Sequence, residues 1–254
     1  MTQIRTTLTG TINNILLTPR VDKPELLDMG SGSDEEARRS LDDLRRLNRL
    51  LFGVHVTLGP LQKWLLETPE PAAVLDLGTG SGQIAQALAR WAMRRYRTVR
   101  VFALDLTPRH LTYAHQWNTA MSTPHVHLVA GDALHLPFAD GSVDYVTSSL
   151  FLHHFDKARL LQLLTECRRV ARRGIVMSDL WRHPLPYYLY KGLVEPLLVR
   201  SPITQADSTT SFHRSYRPAE IEQIASQLLP DVNVRLHFPS FRWLLTSRWN
   251  ITQG

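Results

Sequence analysis

The run Val74-Leu75-Asp76-Leu77-Gly78-Thr79-Gly80-Ser81-Gly82 limits what this chain can fold into more than any other stretch. An apolar segment of strand length, residues 73–77, ends in three alternating glycines. It passes directly into residues 84–96, where Ile84, Leu88, Trp91 and Ala92 recur at helical spacing. Glycines at such a turn accept positive φ and let a ligand approach bare backbone. A strand that feeds a helix this way puts the turn at the carboxyl edge of an open α/β sheet, where such sheets bind ligands. The pattern is Asp-x-Gly-x-Gly-x-Gly. A G-x-G-x-x-G dinucleotide loop needs glycine where Gln83 stands, and a P-loop needs a Gly-Lys-Ser/Thr ending that is missing here.

The alternation continues downstream. Residues 99–104, 126–130, 143–148 and 174–178 read as strands, and residues 109–120 and 157–171 as intervening helices, which predicts a parallel sheet covered on both faces. Residues 218–229 read as a helix, followed by strands over 232–238 and 242–247. With so short a connection those two strands must be antiparallel neighbours, because a parallel pair needs a crossover of about a dozen residues. The expected fold class is a doubly wound, Rossmann-like α/β sheet with an antiparallel last strand.

Upstream, Ser33 and Glu36 form a capping-box pair that opens a helix over residues 34–51. Leu41, Leu44, Leu47 and Leu51 line one face of it, with Arg38, Arg45, Arg46 and Arg49 between them. That apolar stripe suits either a lid or the face of a homodimer. A second, short helix holds Leu61, Trp64 and Leu65, and Pro69 and Pro71 then punctuate the chain. The predicted organisation is an N-terminal helical cap over residues 1–70 and a main domain over 71–254. Residues 184–215, rich in proline and aromatic side chains, read as an insertion after the fifth strand. The Thr-rich first twenty residues give no pattern.

The 254 residues carry 29 basic against 23 acidic side chains, a net charge of +6. That excess is mild for a polynucleotide binder, which concentrates charge in a stripe. The clusters Arg94, Arg95, Arg97, Arg100 and Arg168, Arg169, Arg172, Arg173 fall at or just past predicted helix C-termini, where the helix dipole favours cations. No nucleic-acid partner is therefore expected. The single cysteine, Cys167, rules out a disulfide framework and fits a reducing compartment. The N-terminus shows no signal-peptide core and no stretch reads as a membrane span, so a cytoplasmic location is expected.

Two acidic positions repeat the logic of the glycine turn. Asp105 closes the second strand, where a carboxylate can take both hydroxyls of a ribose in charge-assisted hydrogen bonds. Gly131-Asp132-Ala133 closes the third strand and places Asp132 to accept from an adenine amino group. With the glycine turn, these residues and the run Leu136-Pro137-Phe138-Ala139-Asp140-Gly141-Ser142-Val143-Asp144 resemble class I S-adenosylmethionine-dependent methyltransferases. The likeness is to the small-molecule branch with a methyltransferase type 11/25-like domain, and it runs from Val74 to Asp179. The resemblance implies a seven-stranded sheet and S-adenosylmethionine as cofactor. It implies a cofactor site made of Asp76, Gly78, Thr79, Gly80, Gly82, Asp105, Leu106, Asp132, Ala133 and Ser148.

Methyl transfer from a sulfonium depends mainly on alignment, and a general base adds about 10²–10⁴-fold where a hydroxyl must lose its proton. Base candidates follow the fourth and fifth strands: His153, His154, Asp179 and His183. A metal site at His153 and His154 is not expected, since adjacent ligands diverge and no carboxylate cluster is evident. The resemblance makes the insertion a substrate lid. Tyr187 and Tyr188 on it, with Arg182 before it, are the expected contacts to a small aromatic or apolar methyl acceptor. Two rival readings stay open: a methyltransferase of RNA or DNA, and a non-catalytic binding protein on the same fold.

Overall fold

The computed structural model describes residues 20–122 and 126–249; the Thr-rich start, residues 1–19, lies outside them. Among the described residues seven strands form one sheet: β1 (Ala72–Leu77), β2 (Val99–Asp105), β3 (Val126–Ala130), β4 (Val143–Ser149), β5 (Ala171–Leu180), β6 (Asn233–His237) and β7 (Arg242–Arg248). Their order is β3-β2-β1-β4-β5-β7-β6. The first five pair in parallel, and β7 runs antiparallel to both β5 and β6. The expected doubly wound sheet with its closing antiparallel hairpin is what forms.

Helices cover both faces: α1 (Asp34–Leu50), α2 (Gly53–Glu67), α3 (Gln83–Arg94), α4 (Pro108–Ala120), α5 (Lys157–Val170), α6 (Pro184–Leu189), α7 (Glu195–Leu198), α8 (Pro202–Arg214) and α9 (Pro218–Ala225). On one face Leu61, Leu65 and Leu88 from α2 and α3 pack on Val74, Val101 and Val176. On the other, Leu160, Leu164 and Ile221 from α5 and α9 pack on Leu75, Val146 and Trp243. Each fully buried side chain of this size contributes about 1.5–3 kcal/mol. The predicted short second helix is the fifteen-residue α2, with Pro60 inside it. Packing of Leu58, Leu61 and Leu65 overrides the proline and glycine that weaken its local propensity. Residues 53–67 therefore share the sheet's core as α2.

The capping box at α1 forms as read: Glu36 N–H donates to Ser33 Oγ at 3.3 Å and Ser33 N–H to Glu36 Oε2 at 2.8 Å. Strand β5 begins three residues earlier than expected. Buried Asp144 accepts from Ala73 N–H at 2.8 Å and Arg173 Nε at 2.9 Å, so Arg172 and Arg173 belong to a strand and not to a helix end. The insertion is helical, with a π-turn at Tyr190–Val194 joining α6 to α7 ahead of α8. No helix among the described residues is long and apolar enough to cross a membrane.

Candidate active site at the carboxyl edge of the sheet

The glycine turn joins β1 to α3 with Gly78 at φ 60° and Gly80 at φ 51°. A Cβ on Gly78 would lie 2.2 Å from the Phe151 ring, so this position admits no side chain. A Cβ on Gly80 would meet nothing closer than a Leu41 methyl at 3.7 Å, leaving its α-carbon facing open space. Under the turn, Thr79 Oγ1 donates to Asp76 at 2.6 Å. Burial pushes the Asp76 carboxyl up to about 7, against that hydrogen bond and with help from the charge of Asp105. Gln83, standing where a dinucleotide loop has glycine, fastens α1 to the turn: it donates to Arg45 O at 2.8 Å and accepts from Asn48 at 2.9 Å. Arg45 in turn donates to Ser81 O at 2.9 Å.

Asp105, at the end of β2, accepts the Gly80 N–H at 2.8 Å and the Thr107 N–H at 2.9 Å, with His110 Nδ1 at 3.3 Å. Burial alone would raise its pKa, but His110 and the backbone donors hold the carboxyl below the usual range. After β3, Asp132 accepts the Leu134 N–H at 2.9 Å and sits 3.1 Å from His135 Nδ1. Gly78, Gly80, Asp105, Leu106, Asp132 and Ala133 all line one cavity of about 470 Å³. Asp76, Thr79, Gly82 and Ser148 lie outside its wall and shape it from behind: Thr79 bonds Asp76, Gly82 caps α3, and Ser148 is buried in β4.

From those loops the cavity runs into an apolar chamber. Leu41, Leu44 and Leu47 of α1 roof it, and Leu189, Tyr190 and Phe212 of the insertion close its far side. Leu41 and Leu47 are buried within the chain, facing this cavity. Asp207 on α8 holds the adjoining Pro24–Asp28 segment by accepting the N–H groups of Leu26 and Leu27 at 2.8 and 3.0 Å. Leu150, a non-glycine residue at φ 57°, redirects the chain after β4 into the short turn Leu152–His154 on the cavity wall. Strained backbone of this kind costs about 1–3 kcal/mol and collects at functional sites.

His153 is enclosed by carboxylates. Its Nδ1 is 2.8 Å from Asp179 Oδ1, its N–H donates to Asp179 Oδ2 at 2.9 Å, and its Nε2 is 3.2 Å from Glu25. Burial opposes a charge there, yet Asp179 and Glu25 together raise its pKa to about 10. Both carboxylates thus favour the protonated ring. Asp179 is fully buried behind it and is kept below the usual carboxylate range by that imidazolium despite burial. His154 lines the cavity and pairs with Asp28.

The other expected residues lie elsewhere. His183 accepts the Leu185 N–H at 3.2 Å, capping α6, and stacks on Trp181 with ring centroids 4.0 Å apart. Arg182 donates to the Glu220 carboxylate at 2.6 and 2.7 Å and to Ser215 O at 2.9 Å. Tyr187 packs on Phe212, and Tyr188 is 61% exposed. None of these four is among the described residues that wall the cavity, where the lid presents Tyr190 instead. Sequence reading missed Glu25, Asp28, Arg214 and Arg242, all of which do wall it. Arg242 is 3% exposed, donates to Ser149 Oγ at 3.0 Å, and has its pKa lowered to about 10 by burial against the opposing pull of Asp179. Its position was implicit in the antiparallel hairpin, because β7 starts where β5 ends and Arg242 pairs with Leu180.

Residues 74–174 match the model of a methyltransferase domain family. The chain is 31% identical over 150 residues to a demethylmenaquinone methyltransferase of Thermotoga maritima, covering 57% of this chain and 61% of that one. It is 31% identical over 181 residues to a malonyl-[acyl-carrier protein] O-methyltransferase of Dechloromonas aromatica, covering 69% of this chain and 60% of that one. In both cases the match spans less than two thirds of the relative's length. The fold superimposes with a TM-score of 0.57 on the crystal structure of magnesium protoporphyrin IX methyltransferase from Synechocystis PCC 6803 with bound S-adenosylhomocysteine, at 16% identity over 82% of this chain and 93% of that one. Sheet order, glycine turn and strand-end acids agree with these likenesses: over residues 74–174 the chain is similar to a methyltransferase domain family, and its fold is that of the superimposed methyltransferase structure.

Proposed function

We propose that this protein uses S-adenosylmethionine to methylate a small, largely apolar acceptor that presents an oxygen able to carry negative charge. The observation that carries this reading is the single cavity joining the strand-end cofactor loops to the leucine-lined chamber under α1 and the insertion. Its volume of about 470 Å³ falls within the about 300–1,000 Å³ usual for small-molecule sites. The cofactor fits what the residues offer: an open face at Gly80, an ionised Asp105 for ribose hydroxyls, and Asp132 with Ala133 and Leu106 for the adenine. When bound, the sulfonium supplies an electrophilic methyl group with a good leaving group. The chain's own residues then align acceptor and cofactor and keep water out, a contribution worth roughly 7–11 kcal/mol.

At the acceptor end we assign the polar group of the acceptor to the corner formed by His153, His154 and Arg242, with Asp179 behind it. The acceptors named for the two relatives, demethylmenaquinone and malonyl-[acyl-carrier protein], both carry oxygens of the kind a buried cation would bind. A polynucleotide acceptor is disfavoured because four of the eight clustered arginines are used internally. Arg97 bonds Leu65 O and Thr68 O, Arg169 bonds Glu166 and Asp140, and Arg172 and Arg173 bond Asp144. A free, buried Cys167 is in keeping with a cytoplasmic setting.

Binding of the cofactor product tests this reading directly. S-adenosylhomocysteine at about a hundred times its Kd adds roughly 2.7 kcal/mol, or a rise in Tm of about 5–10 °C for a chain of this size. No rise, or a rise with NADH instead, would overturn the assignment; with binding shown, mass-spectrometric detection of an acceptor gaining a methyl group identifies the substrate. The glycine turn supplies a second check. Gly80→Ala should stay folded at a cost of about 1 kcal/mol for its positive φ, yet bind S-adenosylhomocysteine at least tenfold more weakly, because the new methyl enters the cavity. Gly78→Ala, which meets the Phe151 ring, should instead lower Tm before any ligand is added.

A further inference from the structure

At the acceptor end of the cavity Glu25, His153 and His154 bring a carboxylate oxygen and two ring nitrogens within 4.8 Å of one another. His153 is 2% exposed, and its Nε2 faces Glu25 Oε1 at 3.2 Å. Its other nitrogen is committed to Asp179 at 2.8 Å. Histidines that bind metal ions have this arrangement: a carboxylate takes the N–H on one side, fixing tautomer and ring orientation, and the second nitrogen faces the ion. His154 Nδ1 in turn faces the Asp28 carboxylate.

The backbone that presents the two rings is fixed from behind. Arg214 donates to the carbonyls of His153 and His154 at 3.1 and 2.6 Å, and Arg20 donates to the carbonyls of His153 and Phe155 at 2.8 and 2.6 Å. Those guanidinium groups are engaged with carbonyls, so the Glu25 and Asp28 carboxylates are left facing the imidazoles. We propose that Glu25, His153 and His154, with Asp28 as a closing fourth group, form a binding site for a divalent transition-metal ion on the acceptor wall of the cavity. Imidazole with carboxylate suits Zn²⁺, Fe²⁺, Co²⁺ and Mn²⁺. Because Glu25, Asp28, His153 and His154 all wall the cavity, a coordination position left open there would take water or an acceptor oxygen and polarise it. The site stands or falls independently of the methyl-transfer reading, since it needs only these side chains.

The test uses full-length protein freed of purification tag and metal. Co²⁺ is titrated with the ligand-field absorption read out, and Zn²⁺ by calorimetry. One equivalent should bind with micromolar or tighter affinity. His154→Ala and Glu25→Gln should each weaken it by at least about tenfold, Asp179→Asn by about 10–100-fold as an orienting partner, and His183→Ala should leave it unchanged. Circular dichroism confirms that each variant is folded, and Asp28→Asn, at a more exposed carboxylate, serves if Glu25→Gln is not. Absence of one-equivalent binding to the wild type would overturn the site. Binding that survives both His154→Ala and Glu25→Gln would do the same.

Discussion

Asp105→Ala should weaken S-adenosylhomocysteine binding by about a hundredfold or more, measured by calorimetry on folded protein. The wild-type carboxylate is ionised, lines the cavity, and is held by Gly80 N–H and Thr107 N–H with lone pairs remaining for a ligand. Two charge-assisted hydrogen bonds to a ribose are each worth roughly 1.5–3 kcal/mol, and alanine removes both at once. Alanine also leaves the two backbone donors without their acceptor, a cost of about 1–3 kcal/mol per buried group, so Tm should fall as well. Asp105→Asn separates these effects. Its amide oxygen keeps one acceptor, and its loss of affinity should be smaller. Wild-type affinity in the alanine variant would place the ribose elsewhere in the cavity.

The cofactor half of the site was legible because each of its residues is tied to a strand end by a few residues of chain. A strand followed by glycines fixes where Gly78 and Gly80 stand, and the next two strands deliver Asp105 and Asp132 to the same edge by sheet topology alone. The closing hairpin was equally legible, since three intervening residues permit only an antiparallel return. What failed was the phase of the lid. Tyr187 and Tyr188 were chosen from a short run without amphipathic pattern, and it is Pro186, Leu189 and Tyr190, at helical spacing i, i+3 and i+4, that meet the cavity. Arg182 and His183 sit at the correct edge, but one is consumed by Glu220 and the other caps a helix.

The acceptor corner was illegible for a different reason. Glu25 and Asp28 lie in an unpatterned segment, more than a hundred residues before His153, and only tertiary contact through Asp207 brings them there. No spacing rule links them. His153 was found as a titratable group at the catalytic edge, but its role as a base depended on neighbours the sequence does not show. Two facing carboxylates favour the protonated form of a histidine, which works against a base at His153.

Arg242→Met should separate stability from activity. The Arg242 guanidinium is buried at the start of β7, against the α-carbon of Gly53, with Ser149 as its hydrogen-bond partner and Asp179 near enough to favour its charge. A charge so placed costs folding free energy, and replacing buried ionic groups by apolar side chains of similar volume is often neutral or stabilising by about 1–4 kcal/mol. The methionine variant should therefore unfold at the same or a higher urea concentration than the wild type. If the cation stabilises negative charge on an acceptor oxygen in the transition state, kcat/KM for the identified acceptor should fall by about 10²–10³-fold. Affinity for S-adenosylhomocysteine should be unchanged, because the ribose and adenine contacts belong to other loops. Arg242→Lys should recover part of the rate, since a point charge remains at the end of a flexible stem. A methionine variant that is destabilised and fully active would show instead that the guanidinium serves the fold, braced between Gly53 and Ser149, and that the acceptor carries its charge elsewhere.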